Sequence, residues 1–373
     1  MADYHRIVIK IGTSTLTGGS KKLNLPRITA LAQQVSALIQ QGKQVALVSS
    51  GAIAAGRERL DYPDLPKSIP GKQMLAAVGQ PRLMAVYEQL FGIYGRGVAQ
   101  VLLTREDISD RKRYLNARGT LEALLDQGVV PVINENDTVA TDEIRIGDND
   151  NLSALVANLI EADLLVLLTD QAGLFTADPN KDRDARLIEL IDTPEISESI
   201  WKAAGDSRTE LGIGGMLTKL QAAETARRSG TQVVIAKGDL PEVLIRLVEG
   251  ERIGTRILPI VDKLESRKRF MLAGARLRAS IRVDTGAAKA LLAGGSLLPV
   301  GVTGIQGLFE RGDIVKVKDP DGKDYAIGLT NYAATDLQKI KGRRSVEIED
   351  LLGYAYGDEV IHHNNMTILA GKK

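Results

Sequence analysis

Two short segments combine glycine, hydroxyl side chains and a lysine, which is a combination suited to holding phosphate groups. One reads Lys10-Ile11-Gly12-Thr13-Ser14 and follows an apolar run, and the other extends from Gly212 to Lys219 and precedes a helical pattern. Glycine allows close backbone approach, hydroxyl groups donate to phosphate oxygens, and lysine adds positive charge. Taken singly, each segment is equally typical of a strand-to-helix turn or a glycine-rich helix start. The first has the spacing of neither a Walker A loop nor a Rossmann fingerprint, which disfavours both.

Three further segments bring small or polar side chains to places where a chain should turn. They are Ser49-Ser50-Gly51-Ala52, Asn134-Glu135-Asn136-Asp137 and the run from Ile146 to Ser153. Helix capping explains the first and the last equally well in isolation. The acidic run is not an EF-hand loop, because Leu152 occupies the fifth ligand position and no glycine falls at the sixth. The polar density at 134–137 favours a ligand site, since it follows an apolar strand pattern.

The composition excludes several kinds of chemistry. Cysteine is absent, so disulfides, thiolate metal sites and cysteine nucleophiles are excluded. The three histidines, His5, His362 and His363, lie outside all of these segments, which disfavours an imidazole base. The beginning of the chain has no signal-peptide pattern, and no apolar run approaches the ~20 residues of a membrane span. We therefore expect a cytoplasmic protein with no membrane partner.

The elements that position these segments alternate between short β-branched runs and helical patterns from residue 6 to about residue 260. That alternation is the signature of βαβ units. Most of the runs lack polar alternation, so both faces of the sheet should be buried. The pattern predicts an α/β fold, a three-layer αβα sandwich with a mainly parallel sheet. The first long helix is expected to begin near Pro26 and to end at Gly42.

The character of the sequence changes after Pro259, where short strand patterns and glycine-bearing turns replace long helices. The turn Asp319-Pro320-Asp321-Gly322 between two β-branched runs predicts a hairpin. We predict a catalytic domain over 1–262, a linker over 263–279, and a small β-rich domain with a tail over 280–373. Residues 263–373 carry 18 Lys and Arg against 13 Asp and Glu. Such a mild excess marks a solvated face more often than a nucleic-acid surface.

Six motifs, taken together and in order, resemble those of the amino-acid kinase family, and within it the kinases that act on L-glutamate. The motifs are Lys-x-Gly-Thr-Ser, Ser-Ser-Gly-Ala-Ile-Ala-Ala-Gly, Val-Ile-Asn-Glu-Asn-Asp, Gly-Asp-Asn-Asp-x-Leu-Ser-Ala, Leu-Thr-Asp-x-x-Gly-Leu and Gly-Gly-Met-x-Thr-Lys. The tail from about Ser280 to Tyr356 resembles a PUA domain. Three positions depart from the family pattern: Arg145, Phe175 and Leu217.

The resemblance implies a role for each matching residue. Lys10 and Lys219 would flank the transferring phosphoryl group, with Asp150 orienting both ammonium groups. The implied substrate-binding residues are Ser50, Asn134, Asp137 and Asn149. The implied nucleotide-binding residues are Lys10, Gly12, Thr13, Thr169, Asp170, Ile213, Gly214, Gly215, Met216, Leu217, Thr218 and Lys219.

The same resemblance implies the reaction and the partners. ATP with Mg²⁺ would phosphorylate the γ-carboxylate of L-glutamate, the first step of proline biosynthesis, with proline as a feedback inhibitor. No protein ligand is assigned to Mg²⁺. The resemblance also implies a homo-oligomer, a dimer or a tetramer, and allows RNA contact through the PUA-like tail that the kinase does not need.

Two alternatives remain open at this point. A sibling kinase acting on acetylglutamate, aspartate, carbamate or a nucleotide would share the phosphate segments. The segments at 134–137 and 147–151, with the PUA-like tail, argue against it. The chain could instead be an RNA-binding regulatory protein, since PUA domains contact RNA. The intact phosphate motifs and the formal net charge of +1 argue against that reading.

Overall fold

The computed structural model describes residues 4–64, 68–140, 149–179, 181–206, 215–262 and 279–369. The chain divides into two compact units, one of residues 1–109 and 117–261 and the other of residues 110–116 and 262–373. Each unit contains its own sheet. The predicted fold class, an α/β domain followed by a β-rich domain, is confirmed.

The first unit is built around an eight-stranded sheet in the order β3-β4-β2-β1-β5-β7-β8-β6. Every pair in it is parallel except β7 with β8. The strands are β1 (Arg6–Ile11), β2 (Gln44–Ser49), β3 (Val98–Leu103), β4 (Val130–Glu135), β5 (Leu164–Thr169), β6 (Leu190–Ile191), β7 (Gln232–Lys237) and β8 (Thr255–Ile257).

The helices along this part of the chain are α1 (Thr13–Thr17), α2 (Leu25–Gln40), α3 (Ala52–Arg59), α4 (Ile69–Gly92), α5 (Arg105–Ser109), α6 (Arg111–Asp126), α7 (Asn149–Leu159), α8 (Glu198–Asp206), α9 (Met216–Arg227) and α10 (Val243–Val248). The prediction for the first long helix is confirmed within two residues, with Asn24 as its N-cap and Gly42 in the left-handed region just beyond its end.

Helices cover the two faces of the sheet because side chains alternate along each strand. Ile7, Ile9 and Ile11 of β1 belong to an apolar cluster with α2, α4 and α10. Val8 and Lys10 therefore point to the opposite face, on which α7 lies against β1 and α9 packs on α7. This alternation sends Lys10 toward α7.

Two details differ from the sequence-based expectation. Lys10 lies within β1, whereas the pattern suggested that it belonged to the loop after the strand. A buried carboxylate partner, described below, allows a lysine to stay inside the strand. The run Val98–Leu103 is only partly buried, because β3 is an edge strand with a neighbour on one side only.

The second unit has a five-stranded sheet in the order β10-β9-β11-β12-β13. Its elements are β9 (Ser280–Val283), α11 (Thr285–Leu292), β10 (Val302–Gln306), β11 (Ile314–Lys318), β12 (Asp324–Leu329), α12 (Ala334–Ile340), α13 (Ile348–Leu352) and β13 (Met366–Ile368). The predicted hairpin is confirmed: β11 and β12 pair antiparallel, and Gly322 has a φ of 82° in the turn. A separate apolar cluster fills this unit.

Helices α3 and α4 approach each other closely through two glycines. A Cβ on Gly79 would lie 1.8 Å from the carbonyl oxygen of Ala52, and one on Gly56 would lie 2.0 Å from that of Leu75. No side chain fits at those distances, so the two backbones are in direct contact. Since α3 begins immediately after Ser50-Gly51, this contact fixes where that turn lies.

We expect Gly79→Ala to lower the melting temperature of the first unit by ~5 °C or more, because the added methyl group must force the helices apart. Differential scanning calorimetry measures the shift. The matched control is Gly119→Ala, a helical glycine of α6 with open space around its Cβ position. It should be neutral or slightly stabilising. Equal effects in the two variants would contradict the close contact.

Candidate active site

One buried carboxylate holds two lysines. Lys10 Nζ lies 2.6 Å from Asp150 Oδ1, and Lys219 Nζ lies 3.2 Å from Asp150 Oδ2. The Thr218 hydroxyl donates to Asp150 Oδ2 at 2.7 Å. The three charged residues come from β1, α7 and α9, and their exposed fractions are 6%, 2% and 6% for Lys10, Asp150 and Lys219. We call Lys10, Asp150 and Lys219 the charged triad.

The charged triad is largely buried, and its formal net charge is +1 when all three groups are in their usual charge states. Burial raises the pKa of Asp150, but the two lysines, with hydrogen bonds from Lys10 and Thr218, lower that pKa well below its usual range. Burial and the charge of Lys10 lower the pKa of Lys219, while Asp150 opposes that change. Asp150 is therefore ionised at neutral pH and balances one of two cations. The remaining charge suits an anionic ligand.

Backbone groups near the charged triad are also suited to anions. Gly215 is the N-cap of α9 and offers no side-chain cap, so amides of the first helical turn, which begins Met216-Leu217-Thr218, remain available. Gly12 precedes α1 in the same way, and a Cβ placed on it would lie 3.5 Å from Lys10 Nζ. A phosphate between α9 and β1 would meet amides and ammonium groups together.

Thr169 and Asp170 stand at the end of β5, the strand next to β1. Thr169 is the last residue of the strand, and its hydroxyl donates to Asp170 Oδ1 at 3.0 Å. Because β1 and β5 are parallel, their carboxyl ends lie at one edge of the sheet. Asp170 also favours the charged form of Lys219, raising its pKa against the effect of burial.

Ser50, Asn134 and Asn149 form a second group, which we call the amide-linked group because side-chain amides hold it together. Asn149 Nδ2 donates to Asn134 Oδ1 at 3.0 Å and to Ser50 Oγ at 3.1 Å. Asn134 and Asn149 are each 3% exposed. Within the described part of the chain, Asn149 Oδ1 is buried and has no hydrogen-bond partner. An unpaired buried acceptor is costly, so this oxygen is well suited to a ligand donor.

The turn that carries Ser50 is anchored from behind. The hydroxyl groups of Ser49 and Tyr87 lie 2.7 Å apart, and burial raises the pKa of Tyr87. Gly51 has a φ of 99°, and a Cβ there would lie 2.9 Å from Leu16. Glycine is therefore required at this turn. Sequence reasoning did not single out Tyr87, because no local pattern links a helical tyrosine to a serine 38 residues away.

Asp137 follows β4 and is 9% exposed. Its Oδ1 is buried without a hydrogen-bond partner in the ranges that the structure describes. Burial raises the pKa of Asp137 from 3.8 to about 6. A cationic ligand group would stabilise the ionised form and supply the missing donor.

The structure brings seven of the candidate residues into two groups, one around Asp150 and one around Asn149. Lys10, Thr218 and Lys219 gather on Asp150, and Ser50 and Asn134 gather on Asn149. Asn149 and Asp150 are consecutive at the start of α7, so one helix joins the groups. Thr13 begins α1, and Asp137 is connected to neither group by a hydrogen bond among the described residues. Ile213, Gly214 and Arg145 lie outside the described residues.

The described residues contain no cluster of three or more histidine, aspartate or glutamate side chains able to hold a metal ion. The carboxylate of Asp150 already contacts both lysines and accepts a hydrogen bond from Thr218. An ion of the Mg²⁺ type, which keeps several waters and binds to substrate phosphates, fits this arrangement without dedicated protein ligands. In the same ranges, no helix is long and apolar enough to cross a membrane.

Comparison with known proteins identifies the family of this chain. The family model described as "Amino acid kinase family" matches residues 5–237. The chain belongs to the amino acid kinase family. Its matched segment contains both groups of the site, and the resemblance of the six motifs is confirmed. A PUA domain model matches residues 279–352.

Curated relatives in the amino acid kinase family cover nearly the whole chain. "Glutamate 5-kinase" of Shewanella amazonensis is 54% identical over 98% of this chain and 96% of its own. Proteins of the same name from Photobacterium profundum and Herpetosiphon aurantiacus are both 53% identical, over 97% and 98% of this chain and 96% and 98% of theirs. The similarity therefore extends through both units.

We expect Asp137→Asn to change the pH dependence of stability. Because the folded pKa is raised, the folded state holds its proton to a higher pH than the unfolded state, and stability falls as pH rises through about 6. Relative to the variant, the wild type should lose up to ~3 kcal/mol between pH 4 and pH 8. Urea unfolding at each pH measures the difference. A difference that does not vary with pH would contradict the burial of an unpaired carboxylate.

Proposed function

We propose that this chain transfers the γ-phosphoryl group of ATP to the γ-carboxylate of L-glutamate, which yields L-glutamyl 5-phosphate and ADP. The observation that carries the proposal is the buried charged triad, with a formal net charge of +1, beside the hydrogen-bonded group of Ser50, Asn134 and Asn149. The curated relatives named glutamate 5-kinase support the choice of acceptor. A sibling kinase or an RNA-binding regulatory protein has no comparable support.

The reaction needs charge neutralisation more than it needs a base. A carboxylate with a pKa near ~4.3 is already ionised at neutral pH, so its oxygen can attack the γ-phosphorus directly while the bond to the ADP oxygen breaks. The obstacle is repulsion: two unit charges ~4 Å apart interact by about 4 kcal/mol at an effective dielectric of ~20. Lys10 and Lys219 offset that repulsion, and Asp150 holds both ammonium groups in position.

The amide-linked group suits the other parts of an amino acid. Ser50 Oγ accepts from Asn149, which leaves its hydrogen free to donate to a carboxylate. Asn149 Oδ1 and the Asp137 carboxylate accept from the α-ammonium group, and Asn134 holds Asn149 in place. Gly12, Thr13, Thr169 and Asp170 line the nucleotide side with the first turn of α9. We include Ile213 and Gly214 in that side on the basis of the motif alone.

Mg²⁺ is the proposed ion. Bound to the ATP phosphates, it would supply further positive charge.

The proposed reaction is the first step of proline formation, and we infer that proline competes with glutamate for the same residues. Proline shares the α-carboxylate and a cationic nitrogen, so Ser50, Asn149 and Asp137 suit it as well. We further propose a cytoplasmic homo-oligomer, a dimer or a tetramer. Its kinase domain would comprise residues 1–262, its linker residues 263–279, and a modulatory PUA domain with a C-terminal tail residues 280–373. Any RNA contact through the PUA domain is not essential to the kinase.

The acceptor is tested by incubating the pure protein with Mg-ATP and a panel of acids, and by trapping acyl phosphate with hydroxylamine. We expect hydroxamate with L-glutamate and little with N-acetylglutamate or L-aspartate. N-acetylation removes the α-ammonium charge that Asp137 would bind, and aspartate is one methylene too short. A preference for N-acetylglutamate or aspartate would refute the proposed substrate.

We expect Lys10→Ala and Lys219→Ala each to lower kcat by ~10²-fold or more, while the KM for glutamate changes much less. Steady-state kinetics with both substrates measure the two parameters separately. Lys339→Ala is the control, because this lysine is exposed and lies on α12 of the second unit. Wild-type turnover in either triad variant would remove that lysine from the mechanism.

A further inference from the structure

Gln80 of α4 is a buried polar side chain to which neither the motifs nor the proposed function assigns a role. It is 8% exposed, and its amide lies between two others. Asn134 Nδ2 donates to Gln80 Oε1 at 2.9 Å, and Gln80 Nε2 donates to Gln100 Oε1 at 3.1 Å. Gln80 thus adds one residue to the amide-linked group, through its hydrogen bond with the side-chain nitrogen of Asn134.

Backbone groups fix the direction of this hydrogen-bond chain. The Glu135 N–H, which can only donate, points at Asn134 Oδ1 at 2.9 Å, so Asn134 Nδ2 must face the other way. The Ser49 carbonyl, which can only accept, lies 3.4 Å from Asn149 Nδ2. Gln80 Oε1 is the acceptor that Asn134 Nδ2 needs in order to stay in that orientation.

The orientation has a chemical consequence in the pocket. With Asn134 Oδ1 facing Asn149, the amide nitrogen of Asn149 must point toward it. Asn149 Oδ1 is then turned away, as an acceptor with no partner among the described residues. If Asn134 rotated, the two nitrogens would meet and Asn149 would have to rotate as well. Its acceptor would then be replaced by a donor, which repels an ammonium group.

We propose that Gln80 is a positioning residue that fixes the amide of Asn134, and through it the amide of Asn149, so that the pocket accepts a hydrogen bond from the α-ammonium group of the substrate. The inference rests on the proposed function for the identity of that substrate. Gln80 itself touches no reacting atom, and its effect passes through Asn134 alone.

A second buried glutamine, Gln34, has a different structural role. Gln34 of α2 is also 8% exposed, donates to the Ala30 carbonyl at 3.0 Å and accepts from the Leu244 N–H at 2.9 Å. Both of its partners are backbone groups: Ala30 lies one turn earlier in α2, and the bond from Leu244 links α10 to α2. Gln34→Met is therefore a matched control for the loss of a buried glutamine amide.

The test compares Gln80→Met, Gln80→Glu and Gln34→Met in steady-state kinetics and melting curves. Methionine is similar in size to glutamine but lacks the acceptor oxygen. Glutamate keeps an acceptor oxygen toward Asn134. Its other oxygen can accept from Gln100, which is exposed and can turn its amide to donate. We expect Gln80→Met to raise the KM for glutamate ~tenfold and to leave the KM for ATP within ~twofold. Gln80→Glu and Gln34→Met should keep the KM for glutamate within ~twofold of the wild type.

A double-mutant cycle with Asn134→Ala separates positioning from a general loss of stability. If Gln80 acts through Asn134, adding Gln80→Met to Asn134→Ala should change the KM for glutamate by less than ~twofold. An unchanged KM in Gln80→Met, or a full tenfold effect in the double variant, would overturn the inference. If Gln80→Met does not fold, a tenfold rise in Gln80→Glu, where the acceptor is kept, would overturn it. A wild-type protein that fails to phosphorylate glutamate would instead refute the proposed function.

Discussion

The site depends on the ion pairs between Asp150 and the two lysines, Lys10 and Lys219. Two buried ammonium groups would repel each other at the distance that these side chains adopt, and each alone would be costly to desolvate. One carboxylate between them offsets part of that cost, and the three groups together have a formal net charge of +1. The three residues belong to β1, α7 and α9, so the ion pairs link a strand of the sheet to the two helices on one of its faces. A change in any of the three elements would therefore alter the charge that an anion meets.

Helix α7 connects this charge to the amide-linked group of Ser50, Asn134 and Asn149. Consecutive residues of a helix point ~100° apart, so Asn149 and Asp150 reach two different sides from the same turn. Asp150 points toward the lysines, and Asn149 points toward Ser50 and Asn134. In the proposed reaction, one helix would therefore link the residues that hold the amino-acid substrate to those that hold the phosphoryl group. A fixed spacing of this kind is what an in-line transfer without a covalent enzyme intermediate requires.

Much of this arrangement could be predicted from the sequence, and the rest could not, for physical reasons. Buried strand runs indicated the parallel sheet, and ordered motifs indicated residues such as Lys10 and Lys219. Helix α4 contains three glutamines, Gln73, Gln80 and Gln89, and no local sequence feature indicates which of them lies at the site. Only tertiary packing decides that Gln80 is the one that meets Asn134. Likewise, nothing local predicts that Gly79 lies against α3.

Two oxygens illustrate why such a site is costly in the free protein. Asp137 Oδ1 and Asn149 Oδ1 are buried with no hydrogen-bond partner in the described ranges, and each such group lowers stability by about 1–3 kcal/mol. A fold selected for stability alone would pair them or replace them. Both are acceptors, and both lie at the carboxyl-terminal edge of the sheet, where β4 ends and α7 begins. A ligand that offers a cationic donor regains the lost hydrogen bonds on binding, whereas an acylated nitrogen regains less because it brings one hydrogen and no charge. The cost of these two acceptors in the free protein and the proposed preference for a free ammonium group would therefore have the same physical origin.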